Sequence, residues 1–406
     1  MRKINTRNFK RATRTTAREV NRQILLNLVR EHQPISRADL ARLMTVSRGM
    51  VTELVNSLIN EGLVYEGTTA SAPRGRRPTL LHVRTRDRYV VGVDIRFSRI
   101  FLLLSDFAGR QLALESFETV TDPASLVEKV ASRITRMLEE HGAAGECEGV
   151  GVVIPGMVDR TTGRILNAPQ LGWRNVDIRD DLSMATGLPV YIDNAPIACA
   201  LAHLWLGPRG HEGADSFVYV TVAEGVGFGV VVNGQVVRGF GHTAGEFGHI
   251  PINPKGPACL CGSRGCLEAS ASNLATIGRY LGYDLGQTES REALRASGFT
   301  INDLIAKARA GDERALESLR ESGHFIGLGV SVIVNGLNPA RIYVGGEIAQ
   351  AWDLISDAVI APVNERALTD TAANTQIIPE PGSEHPRLRG ATALVVAPAF
   401  AAPQIA

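Results

Sequence analysis

The 406-residue sequence contains no run of eighteen apolar residues, so no segment is predicted to cross a bilayer as a helix. Its N-terminal stretch MRKINTRNFKRATRTTAREV is basic and lacks the apolar core of a secretory leader, which excludes that reading. Cysteine is scarce, five in the whole chain, and a reducing cytoplasm is the expected setting. Net charge is nearly absent as well, at +1, but that balance hides an asymmetry. What is abundant is apolar side chain, 44% of residues, enough for a sizeable core, and length enough for two or three domains.

The asymmetry lies between the two ends. Residues 1–84 carry 16 Lys+Arg against 6 Asp+Glu, whereas the remainder carries 27 against 36. A basic segment joined to an acidic body points to a polyanion partner for the first part only. Residues 1–16 are polar and basic with little apolar patterning; this arm either follows phosphates or has no fixed structure. From Thr16, the residues Val20, Ile24, Leu25, Leu28 and Val29 recur on one helix face, and Pro34 ends that element. Ser36 and Asp39 resemble a capping box for a second helix, with Leu40 and Leu43 on its apolar side. Ser47 caps a third helix that turns Val51, Leu54, Val55, Leu58 and Ile59 inward and stops at Gly62. Residues 63–66 and 79–83 then read as a two-stranded wing.

Residues 17–84 therefore follow the plan of a winged helix-turn-helix that binds double-stranded DNA. Ser47, Arg48, Gly49 and Thr52, at the start of the third helix, are placed near base edges, and Arg37 near a phosphate. Arg74, Gly75, Arg76 and Arg77 form the wing tip, where a narrow minor groove attracts arginine. The competing reading is a solvated charge run on a protein-binding three-helix domain.

Beyond residue 87 the pattern changes to α/β. Strands are expected at 89–95, 100–106 and 111–117, a helix at about 123–140, strands at 149–154 and 188–193, and a helix at 195–206. The plan then repeats. A second meander covers 216–223, 227–233 and 235–238. Helices follow near 273–282, 301–310 and 312–335, then a strand at 341–345, a helix at 348–368, a strand at 375–378 and a closing helix at 390–400. Two lobes that each begin with a meander suggest a duplicated fold around a cleft, where ligands commonly sit.

Into the second half is set HIPINPKGPACLCGSRGCLEAS, residues 249–270. His249, Cys259, Cys261 and Cys266 match a closed tetrahedral Cys₃His site for structural zinc. A disulfide is a poorer account, because C-x-C closes on itself with difficulty and an odd thiol would remain. A closed site leaves no open coordination position. Its task would be to fix Glu246, His249 and Glu268 relative to one another. Cys147 and Cys199 read as ordinary buried thiols and His203 and His211 as surface residues; Trp173 either lines the mouth of the cleft or packs in the core.

These residues together resemble the ROK family (repressor, open reading frame, kinase). The resemblance rests on Gly245-Glu246-Phe247-Gly248-His249, on the run from Cys259 to Glu268, on Gly151 to Gly156 with Ala168 to Trp173, and on Tyr343-Val344-Gly345-Gly346. It implies an actin-like, RNase H-like sugar-kinase fold over 87–406 that also carries oligomerisation, as a homodimer or homotetramer. With the winged helix in front, it implies a transcriptional repressor rather than a stand-alone kinase. It also implies that Glu246, His249, Glu268 and Asn194 bond sugar hydroxyls, with Gln170 where the family often has Asn.

The kinase parts depart from the family pattern. Where family kinases have Asp-x-Gly-Gly-Thr, this chain has Asp94-Ile95-Arg96-Phe97-Ser98, so side chains close the backbone's approach to phosphate. Where they have Gly-Thr-Gly, it has Ala223-Glu224-Gly225. Where they have Glu-Asn-Asp-Ala, with the Asp as general base, it has Asp193-Asn194-Ala195, and Ala195 accepts no proton. The expectation is a repressor of carbohydrate genes that binds a palindromic operator, answers to a sugar or sugar phosphate, and is no longer an enzyme. A bifunctional ATP-dependent sugar kinase, and a repressor controlled by a protein partner, are the alternatives.

Overall fold

A computed structural model describes residues 14–69, 78–207, 215–380, 382 and 385–402. The head consists of α1 (Arg14–His32), β1 (Ile35–Ser36), α2 (Arg37–Met44), α3 (Arg48–Asn60), β2 (Val64–Thr69) and β3 (Thr79–Val83), with strand order β1-β3-β2. Ser36 Oγ accepts from Asp39 N at 3.2 Å and Ser47 Oγ from Met50 N at 3.3 Å. Each such cap is worth about 1 kcal/mol. Leu25, Leu26 and Val29 of α1 pack with Leu40 of α2, with Val51, Leu54, Val55 and Leu58 of α3, and with Leu81. A leucine buried this fully contributes about 1.5–3 kcal/mol.

The head differs from expectation in three places. α1 begins at Arg14, so residues 14–16 belong to the helix and not to the arm. Ile24 and Leu43 are 46% and 53% exposed; the inward face of α1 is turned toward Leu26, and Leu40 and Ala41 anchor α2. The wing has a third strand, because Ile35 pairs with Leu81 and Ser36 with Leu80. The rest of the arm and the wing tip with Arg74, Gly75, Arg76 and Arg77 lie outside the described residues.

The first lobe contains β4 (Tyr89–Ile95), β5 (Arg99–Asp106), β6 (Gln111–Glu118), α4 (Pro123–Glu140), β7 (Cys147–Ile154), β8 (Met157–Asp159), β9 (Arg164–Ala168), β10 (Trp173–Val176), α5 (Arg179–Thr186), β11 (Val190–Asn194) and α6 (Ala195–Leu206). The second contains β12 (Phe217–Val222), β13 (Val226–Val232), β14 (Gln235–Val236), α7 (Leu267–Ala271), α8 (Asn273–Leu281), α9 (Thr288–Ala296), α10 (Ile301–Arg309), α11 (Glu313–Leu337), β15 (Arg341–Gly345), α12 (Trp352–Arg366), α13 (Asp370–Ala373), β16 (Gln376–Pro379) and α14 (Pro386–Phe400). Short 3₁₀ turns cover Phe247–His249 and Glu347–Ala351.

The duplication is plain in the sheets. One runs β11-β7-β4-β5-β6 and the other β14-β13-β12-β15-β16. In each, an antiparallel meander is extended by two parallel strands. The small sheet β10-β9-β8 and the short helices α5, α7, α9 and α13 were not anticipated. α14 starts at Pro386, four residues before the expected start, since proline suits the first turn of a helix. It lies so close to the first sheet that a Cβ on Gly151 would fall 1.8 Å from Ala391 O. Among the described residues no helix is long and apolar enough to cross a membrane.

Candidate functional site

A cavity of about 400 Å³ opens between the two sheets. Gln170, Asn194, Glu246, His249 and Glu268, separated widely in sequence, all line it. Asn194 ends β11 and caps α6, its Oδ1 accepting from Ile197 N at 3.1 Å, which leaves the amide N–H₂ as a donor. Glu268 stands in the first turn of α7, and its Oε2 accepts from Val226 N at 3.0 Å. Gly225 makes this approach possible, since a Cβ there would sit 2.7 Å from the same oxygen. Glu246 precedes the 3₁₀ turn and lies with Oε2 3.8 Å from His249 Nε2. Burial raises the Glu246 and Glu268 carboxyls above their ordinary values, while the nearby His249 opposes the rise.

His249 faces two ways. Its Nδ1 lies 3.6 Å from Cys259 Sγ, and Cys261 and Cys266 place their sulfurs 3.7 Å apart. The four donor atoms lie within 4.8 Å of one another. A tetrahedral ion with metal–sulfur bonds near 2.3 Å and metal–nitrogen bonds near 2.0–2.1 Å requires edges of about 3.8 and 3.6 Å, so the donors fit one. Burial also pushes the Cys259 thiol up to about 12; a thiolate there calls for a cation beside it. Glycines shape the loop, for a Cβ on Gly265 would fall 1.6 Å from Asn253 O.

The opposite end of the cavity is closed by paired charges. Asp94 is fully buried, with Oδ2 2.7 Å from Arg96 Nε and Oδ1 2.7 Å from Arg387 Nη2. Arg96 reaches across the cleft, its Nη1 3.1 Å from Glu347 Oε1, and Asn273 Nδ2 donates to the other Glu347 oxygen at 3.0 Å. Burial works against the Arg96 charge, but Asp94 and Glu347 outweigh it and raise the guanidinium above its ordinary value. Glu224 also lines this end.

Ala195 is the first residue of α6 and part of the cavity wall. Asp193 is 1% exposed, and its Oδ1 accepts from Asn194 N at 2.9 Å while Oδ2 pairs with Arg238 Nη2 at 2.7 Å. Turning Asp193 toward the cavity would strand Arg238, and breaking such a buried pair costs about 3–5 kcal/mol. Arg238, Glu347 and Arg387 escaped the sequence reading. Their partners lie far away in the chain, and no local pattern announces them.

In the head, Ser47, Arg48, Gly49 and Thr52 form an exposed stretch at the start of α3. Arg37, expected near a phosphate, is instead engaged by Glu66 of the wing and by Asn56 Oδ1 at 3.3 Å. Of the other residues singled out, His203 and Cys147 depart from expectation, while Trp173 and Cys199 take readings already open to them. His203 is not a surface residue: it stacks on Tyr343 with ring centroids 4.0 Å apart and meets Glu380 at 3.1 Å. Trp173 is a core residue whose Nε1 donates to Thr121 O at 2.6 Å. Cys199 is buried but Cys147 only half so. His211 lies outside the described residues.

The model of the ROK family matches residues 90–397. The xylose repressor of Bacillus subtilis (strain 168) is 27% identical over 393 residues, covering 95% of this chain and 97% of that protein. The glucokinase of Halalkalibacterium halodurans is 32% identical over 283 residues, covering 66% of this chain and 83% of that one. The crystal structure of a ROK family transcriptional regulator described as a homolog of the E. coli MLC protein superposes with a TM-score of 0.80 at 24% identity, covering 95% and 97% of the two chains. The glucokinase match therefore leaves out about a third of this chain, whereas the repressor match spans nearly all of it.

Proposed function

The chain belongs to the ROK family, and from that premise we propose that it is a sugar-responsive DNA-binding repressor that no longer phosphorylates its ligand. The observation that carries this reading is the contrast within one cavity. Glu246, His249, Glu268 and Asn194 line the cavity as hydroxyl partners, while Ala195, next to Asn194 in the same wall, offers no proton acceptor and Arg96 at the far end is paired with Asp94 and Glu347. The full-length match to a xylose repressor supports the regulatory half.

In this reading zinc is held by His249, Cys259, Cys261 and Cys266, and supplies a rigid fixed charge rather than a reaction centre. His249 orients its free nitrogen toward the cavity, as a metal-bound imidazole does toward its outer partner. Glu246 and Glu268 accept hydrogen bonds from sugar hydroxyls, Asn194 donates one, and Gln170 completes the wall. The division into a head at 17–84 and an effector and oligomerisation body at 87–406, the cytoplasmic setting, and a homodimer or homotetramer on a palindromic operator belong to the same proposal. Ser47, Arg48, Gly49 and Thr52 meet base edges, and the wing-tip arginines Arg74, Arg76 and Arg77 follow the minor groove. Arg37 serves phosphate only after leaving Glu66.

Operator affinity measured with and without D-xylose, D-glucose and their phosphates tests the regulatory half; the expected outcome is a change with at least one of them. Incubation of the same sugars with MgATP tests the other half, and sugar phosphate formation would restore the kinase reading.

A further inference from the structure

Two helices run from the cavity to the head. α6, twelve residues long, begins at Ala195 and Pro196 in the cavity wall and ends about 18 Å away at the rise of an α-helix. α14, fifteen residues long, begins at Pro386 and Arg387 in the same wall and ends about 22 Å away. The two are locked side by side. A Cβ on Gly390 would lie 2.6 Å from the carbonyl carbon of Ala198, and Ala198, Leu201 and Ala202 pack with Ala391 and Leu394 in one buried cluster. Packing this dense leaves no room for independent sliding.

Both helices end on α1. Gln23 Nε2 donates to Ala399 O at 2.8 Å and Asn27 Nδ2 to Phe400 O at 2.9 Å. These carbonyls belong to the last turn of α14, where intrahelical donors run out. The Arg30 guanidinium lies 4.7 Å from the Phe400 ring centroid and 5.1 Å from that of Trp205, and its Nη1 donates to Trp205 O at 3.4 Å. Arg30 thus touches the ends of both helices. Positions 23, 27 and 30 fall on one stripe of α1. A neighbouring stripe, Leu25, Leu26 and Val29, shares the head core with Leu54, Val55 and Leu58 of α3.

We propose that Gln23, Asn27 and Arg30 form a clamp through which the closure state of the cavity sets the tilt of α1, and with it the presentation of α3 to DNA. The proposal rests on the effector reading above and specifies its route. Asn194, which caps α6, and Arg387, in the first turn of α14, are where a bound sugar and the closing lobes act. The helix pair then moves as one body against α1. The three clamp residues are positioning residues that touch neither the cavity nor the exposed start of α3. The ligand supplies the bias by preferring one closure state.

The test compares full-length, zinc-loaded wild type with Arg30→Ala and the double variant Gln23→Ala/Asn27→Ala. The DNA is a duplex selected by the wild type from a random pool; the ligands are D-xylose, D-glucose and D-glucose 6-phosphate at saturation. Sugar binding is followed by titration and folding by thermal melting. Wild type is expected to change its DNA affinity within the roughly 5–150-fold range of ligand coupling. The variants are expected to bind sugar as before yet change DNA affinity by less than about twofold, which removes most of that coupling. A contact that merely props up the fold would shift DNA affinity equally with and without sugar and leave the ratio intact; that result overturns the clamp. Should a variant melt too early to assay, Asn27→Asp, which keeps the side chain's size but loses its donor, replaces it with the same two outcomes. A wild type that answers to none of the three ligands overturns the effector reading itself, a failure distinct from that of the clamp.

Discussion

The two ends of the cavity make an instructive pair. At one end Glu246, Glu268 and His249 converge on open space, held by a backbone N–H, a 3₁₀ turn and a four-donor cluster. At the other, Asp94, Arg96, Arg387 and Glu347 are paired by charge, although Asp94 Oδ1 and Arg387 Nε make no hydrogen bond. The first arrangement leaves polar groups wanting partners, which is what a ligand answers. The second has spent its charges internally, and an incoming phosphate would have to break pairs before making any. On the proposed reading, the cleft keeps its grip on the sugar while the phosphate end becomes structural.

Four perturbations sharpen or break this contrast. The largest effect is expected from Cys266→Ser, or from stripping the metal with a chelator. Sugar affinity should fall by more than about 100-fold as the ligand loop loosens, and the melting midpoint by roughly 5–10 °C, the shift that a few kcal/mol makes in a chain of this size. Calorimetric titration and a melting curve check both. Glu268→Gln comes next: one hydrogen bond to a charged group is worth about 1.5–3 kcal/mol, so sugar affinity should drop about 10–100-fold with metal content unchanged. Arg96→Ala acts at the self-paired end and should alter sugar affinity less than about threefold, because Asp94 keeps Arg387 as a partner. A large loss there would erase the distinction between the two ends. Smallest of all is Ala195→Asp. A general base alone returns about 10²–10⁴-fold, but with Arg96 and Glu224 in the phosphate approach no sugar phosphate should accumulate in a coupled assay.

How much of this the sequence announced depended on how local the signal was. The zinc donors span eighteen positions, and their spacing alone assembled the cluster that the structure shows. The helix caps Ser36 and Ser47, the two meanders and the helices α4 and α6 between them were legible for the same reason, since capping and periodicity act within a few residues. The five expected cavity residues also met in space, although that followed from the family resemblance and not from any pattern. What stayed hidden joins distant parts of the chain. Arg238 holding Asp193, Arg387 and Arg96 sharing Asp94, and His203 beneath Tyr343 all depend on which element folds against which. The pairing of Arg37 with Glu66 stayed hidden for a related reason: Glu66 lies on the wing, and only the fold brings it alongside.

The most direct test of the account is one titration of the metal-loaded protein with D-xylose or D-glucose, run in the presence of MgATP and followed by product analysis. The account predicts saturable binding of one of these sugars, indifferent to nucleotide, with the sugar recovered unchanged. Recovery of a sugar phosphate, or the absence of binding to either sugar, would contradict it.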